Sequence, residues 1–363
     1  MSTDEPDDGV ALCLSGGGYR AMLFHVGVVW RLHDAGWLER LDRVSSVSGG
    51  SITAGALALA WPRLAAEGLE AAFVAPVRAL AGRTVDATSV IAGALTPDTV
   101  SERVAKAYRR HLFGDATLQD LPDHPRFVIN ATSVQSGALF RFSKAYMADW
   151  RVGRVDRPDV ALADAVAASS AFPPVLSPFT LDLHDAQWVD EPGNDLGHGE
   201  YRERAVLSDG GVYDNLGLET AWKACRTVLV SDAGGQMAAE PDPDQDWGRH
   251  LFRVLSVIDN QVRSLRKRDC VHAFIAGERL GAYWGIRTDI ADFGLADALP
   301  APHASTLALA ALSTRLARLE SVVQERVINW GYAACDAGLR AHVDPALPAP
   351  GGFPYPAVGI AAA

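Results

Sequence analysis

Val44-Ser45-Ser46-Val47-Ser48-Gly49-Gly50-Ser51-Ile52 decides how this chain folds. Val44 to Val47 reads as a short strand, and Ile52 to Trp61 reads as a helix rich in small residues. The chain between them must turn sharply, and Ser48, Gly49 and Gly50 carry little bulk to prevent it. Strand, sharp turn and helix make the layout of a nucleophile elbow, which needs a serine at its apex and small residues two positions to either side. Ser48 takes the apex and Ser46 and Gly50 the flanks, while Thr53, Ala54, Gly55 and Ala56 let the helix approach a sheet closely. Serine and glycine also begin ordinary helices as caps. Taken alone, the stretch leaves both readings open.

Upstream, Val10-Ala11-Leu12-Cys13-Leu14 reads as a buried strand running into Ser15-Gly16-Gly17-Gly18-Tyr19-Arg20, and Ala21 to Ala35 as a helix stopped by Gly36. Consecutive glycines let backbone N–H groups point into open space, and the helix that follows adds its positive end. Such a loop binds an anion. The spacing Gly16-x-Gly18-x-x-Ala21 fits the pyrophosphate loop of a dinucleotide-binding fold. The same amides suit the oxyanion of an acyl-transfer intermediate equally well. Downstream, Leu207-Ser208-Asp209-Gly210-Gly211-Val212-Tyr213-Asp214-Asn215 sets an aspartate at a strand end with little bulk after it. Asp-Gly pairs are most often plain turns. A serine hydroxyl needs a base within hydrogen-bond reach, however, and Asp209 can serve if burial raises its proton affinity.

Over the first two-thirds of the chain, apolar runs alternate with helical patterns, the sign of a parallel sheet covered by helices. Further strands are expected at Arg126–Thr132, Leu139–Phe142 and Arg226–Ser231, and residues 63–113 read as mostly helical, broken by glycines and Pro97. After the acidic breaker Glu240–Asp246, helices are expected over about Trp247–Arg266 and Leu307–Trp330. The organisation expected is a core over 9–235, a mainly helical part over 236–344 packed on the same domain, and a Pro/Gly-rich tail over 345–363 that either wraps the surface or stays loose.

Composition narrows the function classes. The 363 residues carry 33 Lys+Arg against 44 Asp+Glu, a formal net charge of −11, which disfavours general nucleic-acid binding. No apolar run reaches about 18 residues, so no membrane-spanning helix is expected. An acidic N-terminus (Asp4, Glu5, Asp7, Asp8) is the reverse of a secretory signal. Cys13, Cys225, Cys270 and Cys335 form no C-x-x-C pair, so reduced thiols in a cytoplasmic protein are expected, with neither a disulfide frame nor a cysteine metal site.

In this order and spacing the three turns resemble the patatin-like phospholipases, relatives of cytosolic phospholipase A2. The resemblance rests on Gly16-Gly17-Gly18-Tyr19-Arg20-Ala21, on Ser46-Val47-Ser48-Gly49-Gly50 and on Asp209-Gly210-Gly211. Ile129-Asn130-Ala131-Thr132 and Ala168-Ser169-Ser170-Ala171-Phe172-Pro173-Pro174 add to it between them, and it covers roughly residues 9–235. It implies an α/β fold, a three-layer α/β/α sandwich on a mostly parallel sheet with a helical C-terminal addition. It further implies a serine lipid acyl hydrolase that cleaves carboxylic esters through an acyl-enzyme and a Ser–Asp dyad. Ser48 would be the nucleophile and Asp209 the general base, with the amides of Gly16, Gly17 and Gly18 as the oxyanion hole. Gly49 and Gly210 would support the turns, and Arg20 would either support the glycine loop or meet a substrate phosphate. No cofactor and no metal are implied. The partner is a lipid or phospholipid substrate, met in transient contact with a membrane surface. Two departures from the family pattern, Ser46 for the usual glycine and Ala21 for a third loop glycine, remove no reacting group.

Rival readings are a dinucleotide-binding protein built on Gly16–Gly18 and a catalytically idle lipid-binding or scaffold protein. A histidine triad drawing on His250, His272, His303 or His342 fits poorly, because Ser48 follows only one clear strand and none of the four lies in a small-residue loop at a strand end. His25 is expected at the core edge and His33 at the surface. Leu183–Glu191 with Gly193-Asn194-Asp195 is rich in oxygen donors but lacks EF-hand spacing, so a solvated acidic loop is expected rather than a calcium site. Val262–Arg268 is the basic cluster, either a solvated helix face or a contact for anionic headgroups. Phe172–Phe179, apolar and proline-rich, reads either as an acyl-chain wall beside the site or as a buried structural loop.

Overall fold

Leu12 and Leu14 pack into one hydrophobic cluster and Ala11 and Cys13 into another, so β1 (Asp7–Leu14) is covered on both faces. That alternation across a strand explains the continuous apolar run, which is what a central parallel strand requires. The computed structural model describes residues 6–86 and 99–361; Asp4, Glu5 and Pro97 lie outside the described residues. Beside β1 lie β2 (Arg43–Val47), β3 (Arg126–Ser133), β4 (Leu139–Phe142), β5 (Tyr146–Asp149), β6 (Gly153–Asp156), β7 (Phe179–Asp182), β8 (Trp188–Val189), β9 (Arg204–Asp209), β10 (Cys225–Asp232) and β11 (Leu280–Gly285). Among the described residues these form one sheet of 11 strands with the order β11-β10-β1-β2-β3-β4-β5-β6-β8, while β9 pairs with β3 and β7. The run from β11 to β3 is parallel, and β3 onward to β8 is antiparallel.

On the face of the larger cluster lie α1 (Gly18–Asp34), α2 (Gly49–Ala60) and α3 (Leu162–Ser169). The central run of parallel strands with helices about it is the expected α/β architecture. Farther along the chain come α4 (Trp247–Ile275), α5 (His303–Ala310) and α6 (Ser321–His342). The α6 helix crosses α1 at bare backbone, since a Cβ on Gly331 would lie 1.9 Å from the Phe24 carbonyl oxygen. The tail is tied to α6: Asn329 Nδ2 donates to the carbonyls of Tyr355 and Gly359 at 2.9 and 2.8 Å, and Ile360 is buried.

One expectation about the last third needs correction. Leu307–Trp330 is not one helix, because α5 ends at Ala310 and α6 starts at Ser321. Arg20, on α1, takes the carbonyls of Ala310 and Leu312 at 2.6 and 2.8 Å, groups that a continuing helix would need for itself. The region after residue 235 is mainly helical as expected and also supplies β11, which pairs in parallel with β10 over Leu280–Gly285.

Candidate active site

The register of β3 brings Ser48 and Asp209 together. One edge of β3 is taken by β4. Along the other edge Val47, the last residue of β2, sits opposite Asn130, and Asp209, the last residue of β9, sits opposite Ala131. The β2 strand runs parallel to β3 and β9 antiparallel, so the two strands approach head-on and both stop at neighbouring positions of β3. Whatever follows Val47 meets whatever ends β9.

At that junction Ser48 adopts φ 52° and ψ −121°, a positive φ that few L-residues hold and that lifts its side chain off the strand end. The turn is held from several directions. The Ser48 N–H donates to Ser169 Oγ at 2.9 Å, and Ser169 donates to the Asn130 carbonyl at 2.6 Å. Ser51 shares a 2.9 Å bond with Ser169 and donates to Ser46 Oγ at 3.0 Å, so Ser46 uses its hydroxyl inside the elbow. Gly49 allows the glycine loop to lie against the elbow: a Cβ there would come 2.2 Å from the Gly18 carbonyl oxygen. Gly210 does the same for β3, where a Cβ would come 2.3 Å from the Asn130 carbonyl oxygen.

Asp209 is 2 % exposed, and burial pushes its carboxyl up to about 7. The Gly211 N–H, donating at 2.7 Å, and the neighbouring Ser48 hydroxyl pull the other way. Its backbone is pinned by Thr132 Oγ1 donating to its carbonyl at 2.8 Å and by its own N–H donating to Ala171 at 2.9 Å. A buried carboxylate that titrates near neutrality beside a serine hydroxyl has the chemistry of a proton acceptor.

The glycine loop divides its amides. Gly16 N–H is spent on the Asn215 carbonyl at 3.1 Å, whereas the N–H groups of Gly17 and Gly18 meet no protein acceptor among the described residues. All three glycines line the cavity that holds Ser48 and Asp209. Arg20 is buried, donates to the carbonyls of Ala310, Leu312 and Ala233 and does not line the cavity, an arrangement that suits support of the loop rather than a phosphate contact. His25 is fully buried rather than at the core edge. Its Nε2 lies 2.9 Å from the Ser15 carbonyl, which can only accept, so Nε2 carries the proton and Nδ1 accepts from Ser231 Oγ at 2.9 Å. Burial lowers its pKa to about 4, which makes it a neutral brace beneath the loop.

The cavity measures about 440 Å³. Phe172, Pro173, Val175 and Leu176 form one apolar side, which places the proline-rich loop beside the site, and Phe252 of α4 and Leu316 add to the apolar lining. Asp259 and Arg263 of α4, paired at 3.3 Å, supply a polar rim together with Asp86 and Arg315. No histidine belongs to this lining: His250, His272 and His342 are exposed, and His303 pairs with Asp289 at 3.2 Å. In the acidic 183–195 loop, Asp190, Glu191 and Asp195 pair with Arg202, Arg154 and Arg151. Among the described residues, no three His, Cys, Asp or Glu side chains converge as metal ligands.

Sequence reasoning missed the roles of Ser169, of Asn215 and of residues 314–316. The motif stretches around Ser169 and Asn215 were visible, but nothing local shows which of their atoms reach the elbow or the loop. Residues 314–316 were hidden inside a helical pattern.

A family model described as patatin-like phospholipase matches residues 12–222. No curated protein sequence matches the chain. Among solved structures, VipD from Legionella pneumophila is 15 % identical with a TM-score of 0.40, the match covering 93 % of this chain and 67 % of that one. Human GIVD cytosolic phospholipase A2 is 13 % identical with a TM-score of 0.41, over 67 % of this chain. The chain thus spans 51 % of the length of that human protein.

Proposed function

The chain belongs to the patatin-like phospholipase family, and from that premise we propose that it is a serine lipid acyl hydrolase working through a Ser48–Asp209 dyad. The observation that carries this reading is the head-on meeting of β2 and β9 on β3, which leaves one serine and one buried, near-neutral carboxylate facing a shared, largely apolar cavity.

In the proposed reaction Asp209 takes the proton from the Ser48 hydroxyl as Oγ attacks the ester carbonyl carbon. The carbonyl π electrons move to oxygen, and the oxyanion is held by the amides of Gly17 and Gly18. Gly16, whose amide is committed, shapes the loop instead. Collapse breaks the ester C–O bond, and the leaving alkoxide takes the proton back from Asp209. Water then attacks the acyl-enzyme and gives its proton to Asp209. A second collapse frees the fatty acid and returns that proton to Ser48. The apolar side formed by Phe172, Val175 and Leu176 would receive the acyl chain. No cofactor enters this scheme.

Treatment with a fluorophosphonate probe, followed by mass-spectrometric mapping, tests the proposal directly. The expected result is one adduct on Ser48, absent from Ser48→Ala and reduced in Asp209→Asn. A folded chain that takes no label at Ser48 would support the idle lipid-binding reading and overturn the hydrolase.

A further inference from the structure

The 29 residues of α4 are arranged inside out. Its half-buried positions are mainly polar: Ser256, Asp259, Asn260, Arg263 and Ser264 all turn inward. Its exposed positions include Trp247, Leu251, Leu255, Ile258, Val262 and Leu265, with Val254 beside them. Those positions recur at the three- and four-residue spacing that lines up one face of a helix. Only Cys270 and Ala273, near the C-terminal end, are buried. A surface helix in water ordinarily places its apolar stripe against the core, and a long exposed stripe marks a surface that meets something else.

The cavity indicates what that something is. Phe252, itself 48 % exposed, Asp259 and Arg263 of α4 line the cavity around Ser48, so the apolar stripe runs beside the cavity on the same helix. Across the same cavity Phe172 and Val175 line the wall and are themselves half exposed. Apolar surface therefore runs along both sides of the opening through which a substrate must enter. Basic residues on α4 outnumber acidic ones six to two, in a chain whose net charge is −11. Lys267 and Arg268 have no carboxylate partner among the described residues. Trp247, at the start of the helix, is 83 % exposed. Apolar stripe, terminal tryptophan and local positive charge together describe a helix that lies in the plane of a lipid surface.

We propose that the outer face of α4, with Phe172 and Val175, is the surface by which this chain docks on lipid, holding the Ser48 cavity mouth against the layer that contains its substrate. This rests on the lipid hydrolase reading for the choice of occupant. Insertion of the stripe supplies most of the binding, because Arg249, Arg253 and Arg263 are already paired with nearby acids. Binding should accordingly favour anionic lipid and weaken only modestly with salt.

Flotation of the Ser48→Ala chain, which cannot degrade the vesicles, tests the proposal with phosphatidylcholine alone and with an equal mixture of phosphatidylcholine and phosphatidylglycerol. Binding to both is expected, several-fold better to the mixture. Leu251→Glu/Ile258→Glu should lower it by at least about tenfold while keeping the melting temperature, since both side chains are exposed. In the Ser48 background, the double variant should lose vesicle-lipid hydrolysis to the same extent and keep its turnover of a soluble short-chain ester. A parent chain that binds neither vesicle, or a double variant that binds like its parent, overturns the proposal. So does a parent dimer in sedimentation that the double variant converts to monomer, which would assign the stripe to a second copy. Loss of soluble-ester turnover in the parent itself would instead count against the hydrolase.

Discussion

Around Ser48, the elbow amide, the Ser169 hydroxyl, the Gly16 amide and the Asp209 carboxylate are bonded to groups from α3, β3 and the turn after β9. In α4, which walls the same cavity, the half-buried positions are mainly polar and a stripe of apolar residues faces water. The cavity floor is specified by the interior of the protein: remove one partner and another is left unsatisfied. The wall is specified by what lies outside it. The floor should therefore be fragile in both stability and chemistry, and the wall robust in stability but not in access to lipid.

The largest effect that could break this contrast belongs to the dyad. Ser48→Ala should lower ester turnover by about 10⁴-fold or more, and Asp209→Asn by about 10³-fold or more, both measured with a soluble ester on folded protein. The pH profile comes next. With Asp209 pushed up to about 7, kcat/KM should rise with pH and level off above an apparent pKa near 7. Stability should move the opposite way. Between the ordinary carboxylate range near 4 and about 7, the folded chain holds a proton that the unfolded chain has released, so stability falls as pH rises through that window. Asp209→Asn lacks this slope, and its melting temperature should gain on the parent's between pH 5 and 8, by an amount corresponding to a few kcal/mol.

Smaller, but still on the floor side, Arg20→Ala should cost about 2–4 kcal/mol in urea unfolding. It strands the carbonyls of Ala310, Leu312 and Ala233 and frees the 311–320 segment from the glycine loop. At the far end, Leu251→Ser should change unfolding stability by less than about 1 kcal/mol, since Leu251 is 50 % exposed and belongs to no core cluster. A large loss there would mean that α4 is packed like a core helix, and the contrast would fail.

The same contrast marks what could be read from the sequence. The elbow and the glycine turn are local, so Val44–Ile52 and Leu14–Ala21 declare strand, turn and helix through their own spacing. The role of Asp209 was readable only as a conditional, because its proton affinity depends on burial contributed by other elements. The sequence leaves Arg20 two roles, and the bonds that favour support of the loop are made to partners some 290 residues away. Those same bonds divide the expected Leu307–Trp330 helix, an interruption that no periodicity records. In α4 the periodicity was legible and the direction was not: a helical pattern shows that one face is apolar, and only the neighbours show that this face points outward. Strand β11 went unnoticed because Leu280–Gly285 carries two glycines and lies in a helical neighbourhood.

The divided glycine loop also has a signature in time. An amide that is free to hold an oxyanion is equally free to trade its hydrogen with solvent. In native-state hydrogen exchange the Gly17 and Gly18 amides should therefore exchange early, while Gly16 on the Asn215 carbonyl and Ser48 on Ser169 Oγ should exchange late, with the sheet. A covalent adduct at Ser48 whose oxygen occupies the loop should slow the first pair and leave the second unchanged, so that exchange reports occupancy of the site one amide at a time.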